Sequence, residues 1–406
     1  MLPEENNTEN RNTKDRNTED NNTENNNRQG AKSSSYIAIS EKLKSFRPGA
    51  IKTVKHYPTG IRELDKKLGG GLYPGLIFLG ARPGMGKSTL ALQIASEVAA
   101  GGTSVLFYSL EMPSIRIESK ILNRAVHMKE PDLEITSDWL LRAENKDKEE
   151  EWEFVEEVQE EVGPRYKKLY VKEREKIIFS AEDIIKDVEK FIDETNEKPV
   201  VFIDYLQILS ACSSSRNMTE KQKNDENINV LSSLSNKHDL VVFVISSLNR
   251  EAYKNAQKPM QMDSFKETGG IEYSASVILG LQLRNVQLAG IDHEGEMSKA
   301  ARKLELVFLK QRYGVTGSGA NVSLDFYPAW DLYKECDADK SSDDSGIDTK
   351  QSVSGEGKRF IKAAEMPLEM PLEVREKTET GQNEFVPEDE YSRGLFEKFL
   401  SMPDEE

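Results

Sequence analysis

From Thr59 to about Tyr333, short apolar runs alternate with longer stretches of helical spacing. The runs Leu76–Leu79, Ser104–Tyr108, Lys168–Val171, Val200–Ile203, Val241–Ile245, Ser276–Leu281 and Leu304–Leu309 read as strands. Between them, Ser88–Ala100 and Ala181–Glu194 carry the pattern of helices. This alternation predicts an α/β fold: a mostly parallel, twisted sheet with helices on both faces. The run Glu149–Glu161 is strongly acidic and is expected to form the solvated face of a helix.

The flanks read differently. Residues 1–35 repeat the five-residue units Arg-Asn-Thr-Lys-Asp, Arg-Asn-Thr-Glu-Asp and Asn-Asn-Thr-Glu-Asn almost unchanged from position 11 to position 25. Such low-complexity sequence, rich in Asn, Thr and Glu, has no means of packing and is expected to be disordered. Residues 36–56 read as a linker with a short helix, in which Ile39, Leu43 and Phe46 share one face. That face either packs on its own domain or docks as an arm on a neighbouring subunit. Residues 336–406 read as an acidic, mostly disordered tail. Within it the repeated Met-Pro-Leu-Glu of 366–373 breaks any regular helix. A final apolar cluster, Leu395, Phe396, Phe399 and Leu400, is either a partner-docking peptide or a frayed terminal turn.

Charge and composition sharpen this division. The 406 residues are 37% hydrophobic and 31% charged, polar for one globular body, as expected if part of the length is unpacked. From Cys336 onward there are 9 basic and 19 acidic residues, a balance of −10 within a whole-chain charge of −16. An acidic average argues against general coating of nucleic acid but leaves room for a local basic channel. The two cysteines, Cys212 and Cys336, offer neither a disulfide framework nor metal spacing. The first thirty residues lack the apolar core of a secretory signal, and no apolar run is long enough to span a bilayer. The expectation is a soluble cytoplasmic protein without membrane partners.

The chemistry concentrates where strands end. Ala81-Arg-Pro-Gly-Met-Gly-Lys-Ser88 lies between a strand and a helix, the context of a Walker A phosphate loop, with Ala81 in place of the usual first glycine. Residues Ala81, Arg82, Pro83, Gly84, Met85, Gly86, Lys87, Ser88 and Thr89 are the expected nucleotide-binding set. Backbone N–H groups there would cradle phosphate oxygens at a helix N-terminus. Lys87 would meet the β- and γ-phosphates, and the Ser88 hydroxyl would ligate Mg²⁺. Val200-Val-Phe-Ile-Asp204 supplies a second strand ending in an acid, which would hold the metal through water. Ser104-Val-Leu-Phe-Tyr-Ser-Leu-Glu111 supplies a third, and Glu111 is the candidate general base. Parallel strands place their carboxyl ends on one edge, so Glu111 and Asp204 should flank the same phosphate site. Lys310 and Arg312 follow the apolar Leu304–Leu309, and alternation puts both on one face.

Taken in order, Thr59-Gly, Gly69-Gly-Gly-Leu-Tyr-Pro-Gly75, Arg82-Pro-Gly-Met-Gly-Lys87, Ser109-Leu-Glu-Met112, Ile203-Asp-Tyr-Leu-Gln-Ile208 and Lys310-Gln-Arg-Tyr-Gly-Val-Thr-Gly317 resemble the RecA-like motor domain of DnaB-type replicative DNA helicases. The resemblance makes residues 57–335 a RecA-like P-loop ATPase domain. It implies a homohexameric ring that hydrolyses ATP with Mg²⁺ at subunit interfaces and translocates on single-stranded DNA. It also implies Lys87, Glu111 and Asp204 as catalytic residues, with Lys310 and Arg312 reaching the neighbour's γ-phosphate. The DNA-facing loops map to Cys212–Glu226 and Asp263–Glu272, where Lys266, Glu267, Gly269 and Gly270 suit contacts to the phosphate backbone. The acidic tail is a candidate docking segment for a replication protein.

The chain departs from the family in three places. Ser247 stands where the family carries a glutamine that senses the γ-phosphate, Ser276 where it carries an aspartate, and the amino-terminal primase-contacting domain is replaced by the repeats. Two other readings follow: a RecA- or RadA-like DNA-stimulated ATPase of repair or recombination, and a slow nucleotide switch acting as a scaffold.

Overall fold

The computed structural model describes residues 39–44, 55–174, 179–212, 218–249, 258–265, 268–284, 293–317, 320–336, 375–377 and 383–385. In chain order the helices are α1 (Ile39–Lys44), α2 (Arg62–Lys67), α3 (Lys87–Ala100), α4 (Ser114–Lys129), α5 (Ser137–Leu140), α6 (Glu149–Val162), α7 (Ala181–Thr195), α8 (Glu220–His238), α9 (Thr268–Ser274) and α10 (His293–Ser298). The strands are β1 (Gly75–Ala81), β2 (Val105–Ser109), β3 (Leu169–Glu173), β4 (Val200–Asp204), β5 (Val241–Ser246), β6 (Val277–Leu283), β7 (Arg302–Gln311), β8 (Val322–Tyr327) and β9 (Leu332–Glu335). A separate unit, Ser341–Glu406, contains an antiparallel pair, β10 (Arg375–Lys377) with β11 (Asn383–Phe385).

Nine strands form one sheet in the order β3-β2-β4-β5-β1-β6-β7-β8-β9. The first six run parallel, and β7, β8 and β9 are added antiparallel. All seven expected strands are present. β2, β4, β5 and β6 are buried along their whole length, as strands covered on both faces require. One core cluster packs α3 against one face through Leu90, Leu92, Ile94 and Val98. The other packs α7 and α8 against the opposite face through Ile184, Val188, Ile228 and Leu231. A satellite core joins α4 and α6 through Val126, Val155 and Val158, so the acidic run is one face of α6, as expected.

In α1, Ile39 and Leu43 are exposed, and Phe46 lies outside the described residues. The reading in which this face packs on its own domain is not what these two side chains do. Residues 1–35 and the cluster Leu395–Leu400 also lie outside the described residues.

Candidate active site

β1 runs directly into the loop Arg82–Gly86 and then α3, so the loop lies over the amino end of a helix. Two glycines let it turn there: Gly84 has φ 76° and Gly86 φ 81°, left-handed values that L side chains rarely adopt. At Gly86 space also decides. A Cβ would come within 2.5 Å of the Tyr333 hydroxyl and 2.7 Å of the Phe326 ring. Lys87, Ser88 and Thr89 open α3, where backbone N–H groups have no acceptor within the helix and face outward for an anion.

The loop is held from below by the antiparallel edge of the sheet. The Tyr333 hydroxyl donates to the carbonyl of Met85, and Arg302 Nη1 donates to that of Gly84 at 2.7 Å. The Phe326 and Tyr333 rings stack at 4.4 Å beneath Gly86. Arg82 donates to the carbonyl of Lys258 at 3.2 Å, while Pro83 and Gly84 are exposed. Thr89 is placed differently from Ser88. Its hydroxyl turns to the buried Asp331, 3.5 Å away, which Lys120, Asn123 and Ser137 also hold. The Thr89 hydroxyl is therefore engaged away from the loop.

The carboxylates converge on this loop. Ser109 of β2 pairs in register with Asp204 of β4, and Leu110 N–H donates to the Asp204 carbonyl at 2.9 Å. Glu111, one residue on, is exposed at that edge. The Ser109 hydroxyl fixes the turn by donating to the carbonyl of Met112 at 2.6 Å. Burial holds the Lys87 ammonium below its ordinary value, while Asp204 and Glu111 act in the opposite sense. Burial pushes Asp204 up to about 6. The Ser88 hydroxyl bonded to it and the Lys87 charge oppose that rise, and the Glu111 charge adds to it. Lys87, Ser88, Glu111 and Asp204 therefore share one electrostatic site, as the rule for parallel strand ends anticipates.

Asp204 is 2% exposed, and its Oδ2 has no hydrogen-bond partner among the described residues. A buried orphan carboxylate oxygen beside a serine hydroxyl fits a hydrated divalent cation. Its cost is measurable. Displacement from 3.8 to about 6 means that the charged form opposes folding by on the order of 3 kcal/mol. The folded-state value lies above the unfolded one, so protonation favours the fold. The penalty is absent below about pH 4, grows between there and about 6, and is complete above that. Asp204→Asn should therefore abolish turnover yet raise the thermal midpoint of the ligand-free chain at pH 7.5, by about 2–4 °C per kcal/mol recovered. Scanning calorimetry tests this. The gain should vanish near pH 4, and an unchanged or lower midpoint at pH 7.5 would overturn it.

Lys310 and Arg312 bond two adjacent backbone carbonyls. Lys310 Nζ donates to the carbonyl of Glu272, and Arg312 Nη2 donates to that of Tyr273 at 3.0 Å, both at the end of α9. Lys310 is held below its ordinary value by burial first and the Arg312 charge second. The antiparallel turn of β7 carries the pair to the edge away from the phosphate loop. Ala81 aligns with Leu281 in β6, whereas Arg312 N–H bonds the Ser276 carbonyl, before the start of that strand. Five strand residues at ~3.3 Å each separate the two levels by roughly 16 Å.

The expected DNA-facing loops are partly helical. Lys266 and Glu267 lie outside the described residues. Gly269 and Gly270 belong to α9 and not to a loop. A Cβ on Gly269 would meet nothing within 4 Å, but one on Gly270 would meet Asp225 of α8 at 2.3 Å. Gly270 is therefore closely packed against α8. In the other segment the Thr219–Gln222 capping box starts α8 at Glu220, so the Cys212–Glu226 stretch is helical in its second half. Residues 213–217 lie outside the described residues.

A strand, a glycine loop over a helix N-terminus and an acid on a parallel strand one strand removed define a P-loop site in a RecA-like sheet. The family model for the DnaB-like helicase C-terminal domain matches residues 57–335, and the chain belongs to that family. Among curated relatives it is 25% identical over 267 residues to the replicative DNA helicase DnaB of Helicobacter pylori strain J99, covering 64% of this chain and 50% of that protein. It is 28% identical over 266 residues to DnaB of Leifsonia xyli, covering 64% and 52%. The chain thus spans about half the length of the curated relatives it matches. Among solved structures, an ATPase domain superposes with a TM-score of 0.61 at 21% identity, covering 74% of this chain and 99% of that one. A DnaB-like replicative helicase, solved in a study of its interactions with primase, gives 0.61 at 22% identity, covering 74% and 69%.

Proposed function

We propose that this chain is an ATP-driven motor that translocates on single-stranded DNA as a homohexameric ring in the cytoplasm and unwinds duplex DNA in replication. The observation that carries the reading is the convergence of Lys87, Ser88, Glu111 and Asp204 on one glycine loop. Backbone N–H groups at the start of α3 and the Lys87 ammonium bind the β- and γ-phosphates of ATP. Ser88 and Asp204 hold Mg²⁺, which when bound supplies positive charge against the phosphate oxygens. Glu111 orients the attacking water and takes its proton. Lys310 and Arg312 of one subunit serve the nucleotide of the next. The placement of Arg312 on the edge away from its own loop supports this assignment. The family match covers the nucleotide-binding domain, which supports the motor reading over a scaffold that has no use for Glu111. The acidic tail is proposed as a docking segment for a replication protein.

The test is steady-state ATP turnover with and without single-stranded DNA, followed by unwinding of a forked duplex. Turnover should need Mg²⁺ and rise on adding DNA, and strand separation should follow. DNA-stimulated turnover without unwinding would favour the repair-type ATPase. Turnover indifferent to DNA would sink the motor reading.

A further inference from the structure

The phosphate edge is bridged by a side chain that the catalytic scheme leaves unused. β5 lies between β4, which ends in Asp204, and β1, which enters the phosphate loop. The end of β5 is therefore next to both. The residues at that end are Ser246 and Ser247, whose side chains are too short to span the gap themselves. Gln207, three residues beyond Asp204, spans it for them. Its Nε2 donates to Ser246 Oγ at 3.0 Å, and its Oε1 accepts from Ser247 N–H at 3.0 Å. Both ends of one amide are thus engaged across neighbouring strands.

What lies beyond this bridge gives it direction. Leu248 makes a bridge to Phe265, Asn249 N–H donates to the Ser264 carbonyl at 2.9 Å, and Asn249 Nδ2 donates to that of Asp263. Phe265 in turn covers β1 just before the phosphate loop, since a Cβ on Gly80 would come within 2.5 Å of its ring. A few residues on, the chain enters α9, whose last carbonyls receive Lys310 and Arg312. On the other side, the Gln207 carbonyl accepts from Lys223 of α8 at 3.3 Å. One residue therefore touches the path to α9 and the path to α8, the helices that begin inside the two segments assigned to DNA.

We propose that Gln207 is the positioning residue that couples the nucleotide site to the DNA-facing segments, by strapping the phosphate-side ends of β4 and β5, and with them Leu248 and Asn249, to the turn Asp263–Phe265 before α9. The inference rests on the motor reading above. In it, γ-phosphate occupancy shifts the end of β4, and Gln207 moves β5 and the stretch stitched to it.

The experiment is turnover of Gln207→Met with and without single-stranded DNA, over a range of ATP concentrations. Methionine keeps the length and removes both hydrogen bonds. The readout is the ratio of DNA-stimulated to basal kcat, because a residue that only supports the fold lowers both rates together. Couplings between sites are typically ~5–150-fold, so the ratio should fall several-fold, toward one, with the KM for ATP moving far less. Gln207→Glu keeps the acceptor for Ser247 N–H and should retain an intermediate ratio, which also serves if the methionine variant fails to fold. A wild-type ratio in either well-folded variant, or an equal fall in both rates, overturns the proposal. If the unaltered chain shows no stimulation by DNA, the motor reading falls and takes this inference with it.

Discussion

Mixed in solution, Lys87→Ala and Arg312→Ala chains should recover ATP turnover that neither has alone. A closed ring uses head-to-tail interfaces, so each site would take its phosphate loop from one subunit and its arginine from the next. Lys87→Ala spoils a chain's own loop but leaves its Arg312 to serve a neighbour, and Arg312→Ala does the reverse. An arginine at the γ-phosphate changes turnover by roughly 10³–10⁵-fold, so each variant alone should be close to background. In a mixture, some interfaces pair an intact loop with an intact arginine, and activity should depend on the mixing ratio. The geometry favours this outcome, because the strand level of Arg312 lies roughly 16 Å from that of its own loop. Subunit exchange is confirmed first by fluorescence transfer between labelled chains. No recovery at any ratio, with exchange demonstrated, would count against action between subunits. Arg312→Lys is the control for α9, since it keeps a donor for the Tyr273 carbonyl while losing the planar fork.

Glu111→Gln should separate binding from chemistry. The amide keeps the size of the carboxylate but is a poor base, and general-base catalysis is worth about 10²–10⁴-fold. Turnover should fall by that much while a fluorescent ATP analogue still binds. Affinity should hold or improve, because removing one of two carboxylates beside the phosphates removes repulsion. Glu111 is exposed and makes no core contact, so the fold should be unaffected. Loss of binding together with turnover would make Glu111 a structural residue and leave the base unassigned.

The parts that can be read from sequence share a physical property: their determinants are local. The phosphate loop and its helix are contiguous, so Gly84, Gly86, Lys87 and Ser88 announce themselves within a few residues. The strands of the parallel core are continuous apolar runs because both faces are covered, and they stand out for that reason. The meeting of Asp204 with Glu111 follows from one general rule about parallel strand ends. β8 and β9 escape such a reading, since they are short and separated only by Pro328–Trp330 and Asp331. The cluster around Asp331 and the brace by Tyr333 depend on pairing across 194 to 248 residues, which no local pattern encodes. Gln207 is visible as part of a motif but its task is not, because its partners belong to a strand some 40 residues away. The close approach of Gly270 to Asp225 of α8 is likewise invisible in a Gly-Gly pair read locally.

The brace beneath the phosphate loop also sets an order in time. Met85 and the tyrosine that holds its carbonyl are 248 positions apart. A ribosome adding roughly 5–20 residues per second needs about 12–50 s to cover that distance. Throughout that interval the nascent chain carries every motif residue of the loop without the floor that shapes it. A truncated product ending before Leu332 would therefore carry the full phosphate-binding motif on a loop without the Tyr333 brace.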